Sequence, residues 1–128
     1  MTPEEKKLLM TDLAGRIPHG IMVRCNIGKL ELNQVAHALN ASTERVNFRR
    51  GLTVSVENVR PYLRRKNTMT AKEYIEYQKR IKVIQDYEGT LYWCDTPESL
   101  DWLDENGFDY RGLLDLGLAV DMKELFEK

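Results

Sequence analysis

Three threonines mark where helices start in this chain, and that punctuation constrains the fold more than any other feature. Thr2 is followed by Pro3 and Glu5. The hydroxyl and the carboxylate can each accept a bond from the other's free amide, a capping box, and proline suits the first helical position because no N–H is needed there. This predicts a helix over residues 2–14. Leu8, Leu9, Met10 and Leu13 lie on its apolar side, and Gly15 with Ile17-Pro18-His19-Gly20 turns the chain away. Thr70 and Glu73 repeat the box. Tyr74, Tyr77, Ile81 and Ile84 follow at three- and four-residue spacing, which predicts a helix over 70–86, with Glu76 and Arg80 placed to pair. Thr96, ahead of Pro97 and Glu98, caps a third helix carrying Leu100, Trp102 and Leu103. Asn106-Gly107 ends it, glycine accepting positive φ. Asp109 reads as the cap of a fourth short helix with Tyr110, Leu113 and Leu114, closed by Gly117, and Leu118-Ala119-Val120 reads as a strand or extended tail.

The interval between the first two helices has a period of two instead. Ile21 to Cys25 is a short apolar strand with a turn at Asn26-Ile27-Gly28. Arg45 to Arg49 and Leu52 to Val56 alternate, with Val46, Phe48, Leu52, Val54 and Val56 on one side and Arg50-Gly51 as the corner or bulge between them. Leu30 to Leu39 fits both periods. Leu30 and Leu32 alternate, whereas Leu32, Val35, Ala36 and Leu39 are spaced like a helix face. Flanking turn residues, Gly28 on one side and Asn40-Ala41-Ser42-Thr43 on the other, favour a strand. A helical turn over Glu57 to Leu63 would close the set.

Several of these residues form patterns that resemble short uncharacterised proteins of Bacteroides-type bacteria and their prophages or mobile elements. Asp12-Leu13, Arg16 and Pro18-His19-Gly20 resemble that group's D-L-x-x-R-x-P-Y-G opening, with His19 where tyrosine is usual. Val59-Arg60-Pro61-Tyr62-Leu63-Arg64 resembles its V-K-P-Y-L-R middle, but Arg65-Lys66-Asn67-Thr68 replaces the usual continuation and adds two positive charges. Phe108-Asp109-Tyr110-Arg111-Gly112-Leu113 resembles its ending. The group has no established activity, so the resemblance implies no substrate. It does favour a compact barrel for the β segments. The expected fold is α+β: residues 1–66 form an N-terminal helix and a small SH3-like barrel without exposed strand edges, and residues 67–128 form a helical half packed on it.

Composition enters mainly through charge. The chain of 128 residues has a net charge of −1, but the charge is segregated. Residues 45–85 hold eleven Lys or Arg against three Glu, and residues 86–128 hold twelve Asp or Glu against three bases. A basic middle can serve an anionic partner. Equally, the acidic segment can lie on the basic one within the molecule. No apolar run approaches the roughly 20 residues that span a bilayer. The opening MTPEEKKLLM does not read as a signal peptide. The expected location is therefore the cytoplasm, with Cys25 and Cys94 as free thiols. Cys25, inside an apolar strand, is a packing residue. Two Cys and two His without paired spacing argue against a metal.

Motifs for catalysis are missing: there is no G-x-S-x-G, P-loop, H-E-x-x-H or repeated C-x-x-C. Asp12–Arg16 reads as a structural pair, and Asp101, Asp104 and Glu105 as a solvated acidic face. The corner at 106–109 invites a helix-turn-helix reading, but Asp109, Arg111 and Asp115 are not the basic and amide side chains that a recognition helix presents. The expectation is a non-enzymatic module without a cofactor, binding another protein of a prophage or mobile element through Tyr62, Asp109, Tyr110 and Arg111. The alternative is a nucleic-acid-binding accessory protein, with Arg49, Arg50, Arg60, Arg64, Arg65 and Lys66 on phosphates.

Overall fold

The computed structural model describes residues 1–126. Helix α1 spans Pro3–Arg16. The Thr2 hydroxyl accepts from the Glu5 amide while the Glu5 carboxylate accepts from the Thr2 amide, so the first capping box is made as the sequence requires. Strands β1 (Met22–Ile27) and β2 (Leu30–Val35) form an antiparallel hairpin, and β1 also pairs with β6 (Val59–Arg65). Strands β3 (Ala38–Asn40), β4 (Arg45–Asn47) and β5 (Thr53–Ser55) make a separate antiparallel sheet. Helix α2 runs Ala71–Gln78, β7 (Lys82–Gln85) pairs with β8 (Leu91–Cys94), and α3 runs Pro97–Glu105. Two-residue strands β9 (Phe108–Asp109) and β10 (Val120–Asp121) then join β6 in parallel, and a short α4 (Lys123–Phe126) follows.

The expected barrel is not closed. The strands lie in three sheets: β10-β6-β1-β2 with β9 also on β6, then β3-β4-β5, then β7-β8. After Val35 the chain leaves the first sheet. Ala36 still donates to the Ile21 carbonyl, but His37 donates to Asn47 in the second sheet. A 3₁₀ turn at Val56–Asn58 separates β5 from β6, so three-residue strands never complete a circle of hydrogen bonds. The 30–39 segment is extended, as its flanking turns favour. Glu57 to Leu63 is not a helical turn, because most of it belongs to β6.

The C-terminal half is not helical either. Helix α2 stops at Gln78, and the stretch expected to complete it becomes β7. Val83 and Ile84 are β-branched and pair with the aromatics Trp93 and Tyr92, a combination that favours a pleated surface. Gly89 supplies the turn at φ +85°. The helix expected after Asp109 is absent too. The Asp109 carboxylate accepts from the amides of Arg111, Gly112, Leu113 and Leu114, holding the chain in an irregular turn. Gly112 and Gly117 both sit at positive φ and break helical continuation.

Two clusters fill the interior. The larger takes Leu9 and Leu13 from α1, Val23 and Cys25 from β1, Val46 and Val54 from the second sheet and Phe48 just after β4, together with Val59, Leu63 and Leu113. Burial pushes the Cys25 thiol up to about 11, as expected of a packing cysteine. The smaller cluster holds Tyr77, Leu103 and Phe108, with Trp102 stacked between Tyr77 and Phe108 at centroid distances of 6.0 and 5.7 Å.

Candidate functional site

Asp12 and Arg16 are one helical turn apart on α1, and both are fully buried. Arg16 donates through Nε to Asp12 Oδ2 at 2.8 Å and through Nη2 to the Phe108 carbonyl at 2.6 Å, and reaches the Leu103 carbonyl. Arg111 donates to the other Asp12 oxygen at 2.7 Å, and Asp104 Oδ1 lies 3.5 Å from Arg111 and 3.7 Å from Arg16. Tyr110 donates its hydroxyl to Asp104, with the Arg16 and Arg111 guanidiniums 5.6 and 4.3 Å from its ring centroid. Burial, opposed in part by Arg111, pushes the Tyr110 hydroxyl up to about 12. Gly15 lies close by: a Cβ there would sit 2.8 Å from Asp104 Oδ2. The opening and ending motifs thus meet in one buried, charge-balanced network of two carboxylates and two guanidiniums. Asp104 belongs inside this network, so the solvated-face expectation fails for it. Aspartate four residues before arginine marks Asp12–Arg16 in the sequence, but nothing local marks Asp104 as their partner.

The four residues expected to form a partner surface are employed within the fold. Tyr62 is fully buried; its hydroxyl donates to Asn33 at 2.6 Å and accepts from Arg24 at 3.1 Å. Asp109 closes its turn, and Tyr110 and Arg111 belong to the network. The six expected phosphate contacts divide. Arg64 makes a two-pronged bond to Glu73 at 2.8 and 3.0 Å and lies 4.4 Å over the Phe108 ring. That guanidinium, with the Thr70 amide, holds the Glu73 carboxyl down at about 2. Arg65 bonds Asp115 at 2.9 Å. Lys66 reaches the Tyr77 hydroxyl and lies 4.0 Å from Asp95. Arg60 donates to the Glu57 and Val59 carbonyls. Arg49 and Arg50 lie exposed on a 3₁₀ turn, Arg50 at φ +66°. The structure therefore places four of the six on intramolecular acceptors and, among the described residues, does not bring the six together as a set of free cations.

The surface that sequence reasoning missed is the β7–β8 hairpin. Val83, Ile84, Leu91, Tyr92 and Trp93 are all exposed there, Leu91 at 63% and Trp93 at 65%. Tyr74 and Ile75 on α2 are exposed to the same degree. Trp93 shares a cleft with Tyr74, Tyr77 and Ile81, rimmed by Lys66 and Asp95. The signal was present as adjacent Val83-Ile84, the Asp86 to Gly89 turn and the Leu91-Tyr92-Trp93 run. It was hidden because Ile81 and Ile84 also fit a helix seam.

No family model, curated protein or solved structure matches this chain. Among the described residues, no group of three or more His, Cys, Asp or Glu is placed to hold a metal ion, and no helix is long and apolar enough to cross a membrane.

Proposed function

We propose that this chain is a non-enzymatic protein-interaction module that engages another protein through the aromatic-lined cleft between α2 and the β7–β8 hairpin. On the resemblance in its sequence, the expected setting is a prophage or mobile element. One observation carries the reading: large apolar side chains stand in water on both a helix and a two-stranded sheet, and those of Tyr74 and Trp93 converge on one cleft. Scattered apolar residues on a surface are ordinary, but a contiguous patch with a polar rim is the feature of an interaction site. Aromatic side chains dominate binding energy at such sites. Lys66 and Asp95 at the rim give the partner both signs of charge to meet.

The nucleic-acid reading loses support because Arg64, Arg65, Lys66 and Arg60 would have to abandon bonds they already make. The test is retention of partner protein by the full chain in the cells that encode it. Tyr74→Ala and Trp93→Ala, each melting like wild type, are expected to release it. Retention by both variants would overturn the reading. So would salt-sensitive binding of a generic duplex that weakens when Arg64, Arg65 and Lys66 are reversed to glutamate, because counterion release is the mark of phosphate contact.

A further inference from the structure

The β7–β8 hairpin stands apart from the other two sheets, and among the described residues neither strand has a second neighbour. A lone two-stranded sheet is marginal in water and its free edges invite pairing. We infer that a second copy of this chain pairs with the open edge of β7, antiparallel across a two-fold axis at Ile84, so that two hairpins make one four-stranded sheet. The inference rests on the reading of this hairpin as an interaction surface.

Backbone phase selects this register. The Asp86 N–H donates to the Thr90 carbonyl at 3.0 Å. Facing residues in an antiparallel pair alternate between bonded and non-bonded. Residues 82, 84 and 86 therefore turn their backbone groups toward β8, while Val83 and Gln85 turn theirs to the open edge. Across a two-fold axis at Ile84, Val83 of one copy exchanges bonds with Gln85 of the other. Ile84 then meets Ile84, and Lys82 meets Asp86, as non-bonded pairs whose side chains approach most closely.

Side-chain order matches. Along one face of β7 the sequence runs Lys82, Ile84, Asp86: positive, apolar, negative. A two-fold axis at its centre pairs both charges and leaves an apolar middle, with Tyr92 beside Ile84 on each hairpin. Moving the axis by one residue, to Val83 or Gln85, sets a charged side chain against Ile84. Asp86 is held in place, because its carboxylate accepts from the Glu88 and Thr90 amides and the Tyr92 hydroxyl. A lysine on an edge strand ordinarily repels added strands. Here it admits one that presents a carboxylate opposite, which favours a copy of itself. The contact is isologous and closes at two copies.

Sedimentation equilibrium of the full chain tests this. The wild type is expected to dimerise. Val83→Pro removes an N–H that makes no bond within the hairpin, and Lys82→Glu sets two carboxylates together; each is expected to raise the dimer dissociation constant at least about tenfold. Ile84→Cys is expected to crosslink two chains on oxidation, since a non-bonded antiparallel pair brings the two Cβ atoms within disulfide reach. Gln85→Cys, facing Val83 of the other copy, is expected not to. A wild type that is monomeric at ~100 µM, a range in which weak but specific pairs still form, overturns the inference. So does a dimer indifferent to Val83→Pro and Lys82→Glu. Tyr74 lies on α2, outside β7. A monomer that still loses its partner protein on Tyr74→Ala therefore refutes self-pairing alone, while a dimer sensitive to Val83→Pro stands even if Tyr74→Ala leaves partner binding intact.

Discussion

Arg16→Met removes the centre of the buried network while keeping most of the side-chain volume. In the native fold Arg16 has no exposed surface, and it satisfies one Asp12 oxygen and the Phe108 and Leu103 carbonyls. Met supplies no donor. Asp12 keeps Arg111 on its other oxygen, so its charge is half-compensated rather than orphaned. Two carbonyls and one carboxylate oxygen lose a charged donor. Removing one partner of a buried ion pair costs about 3–5 kcal/mol, most of it the desolvation of what remains unpaired. Against a total stability of about 5–15 kcal/mol for a domain, that is a large fraction. It corresponds to a fall of roughly 10–20 °C in melting temperature for a chain of this size. The assay is urea unfolding with thermal melting as a second probe, with Arg16→Met, Arg111→Met and the double variant forming a cycle. Because both arginines hold Asp12, the two effects should not add. If Arg16→Met melts within about 2 °C of wild type, the network is not what joins α1 to the C-terminal turn, and the reasoning fails.

Two further outcomes follow from single sites. Gly107→Val should destabilise the fold, because Gly107 holds φ +75° and its added Cβ would stand 3.0 Å from Met122 Cε; a urea midpoint equal to wild type would contradict the turn. Glu73 has a folded pKa near 2, below its ordinary 4.5, so the stability it contributes is complete above about pH 4.5 and is lost as pH falls toward 2. Glu73→Gln keeps the cap's acceptor but not the charge, so its urea midpoint should fall less steeply than the wild type's across that window; parallel curves would refute the assignment.

Local chemistry was the legible part of this chain. Caps act within one turn, so Thr2, Thr70 and Thr96 could be read directly, and each accepts its expected amide. The alternation of Val46 and Val54 is equally local, and both are buried. Errors arose where distant partners decide. Pro61 argues against a central strand because it has no N–H to give. It nevertheless lies in β6, flanked by β1 at residues 59–61 and, on the opposite side, by β10 at 62–63. Tyr62 looked like a surface aromatic until β6 placed it beneath Arg24 and Asn33. Ile81 and Ile84 satisfy two periods at once, and only the turn at Gly89, with Tyr92 and Trp93 opposite, selects the sheet. Asp104 could not be told from its exposed neighbour Asp101, since what buries it is α1, some ninety positions earlier.

Charge segregation along the sequence becomes docking information in the fold. The acidic last third is distributed over bases from both earlier segments: Asp104 toward Arg16, Asp101 beside His19, Glu124 on Arg24, Asp95 near Lys66 and Asp115 on Arg65. Apart from Asp104–Arg16, which is buried, these pairs are partly exposed and contribute about 0–1 kcal/mol each, too little to hold the C-terminal segment in place. The buried network and the Tyr77–Trp102–Phe108 stack carry that task, because they are removed from water. The surface pairs act differently: they make the wrong arrangements worse, since a basic middle meeting another basic segment has nothing to offset its repulsion. That division explains why a strongly basic stretch does not by itself imply an anionic partner. Arg64, Arg65, Lys66 and Arg80 already face Glu73, Asp115, Asp95 and Glu76, while large exposed apolar side chains stand at Tyr74 and along β7 and β8.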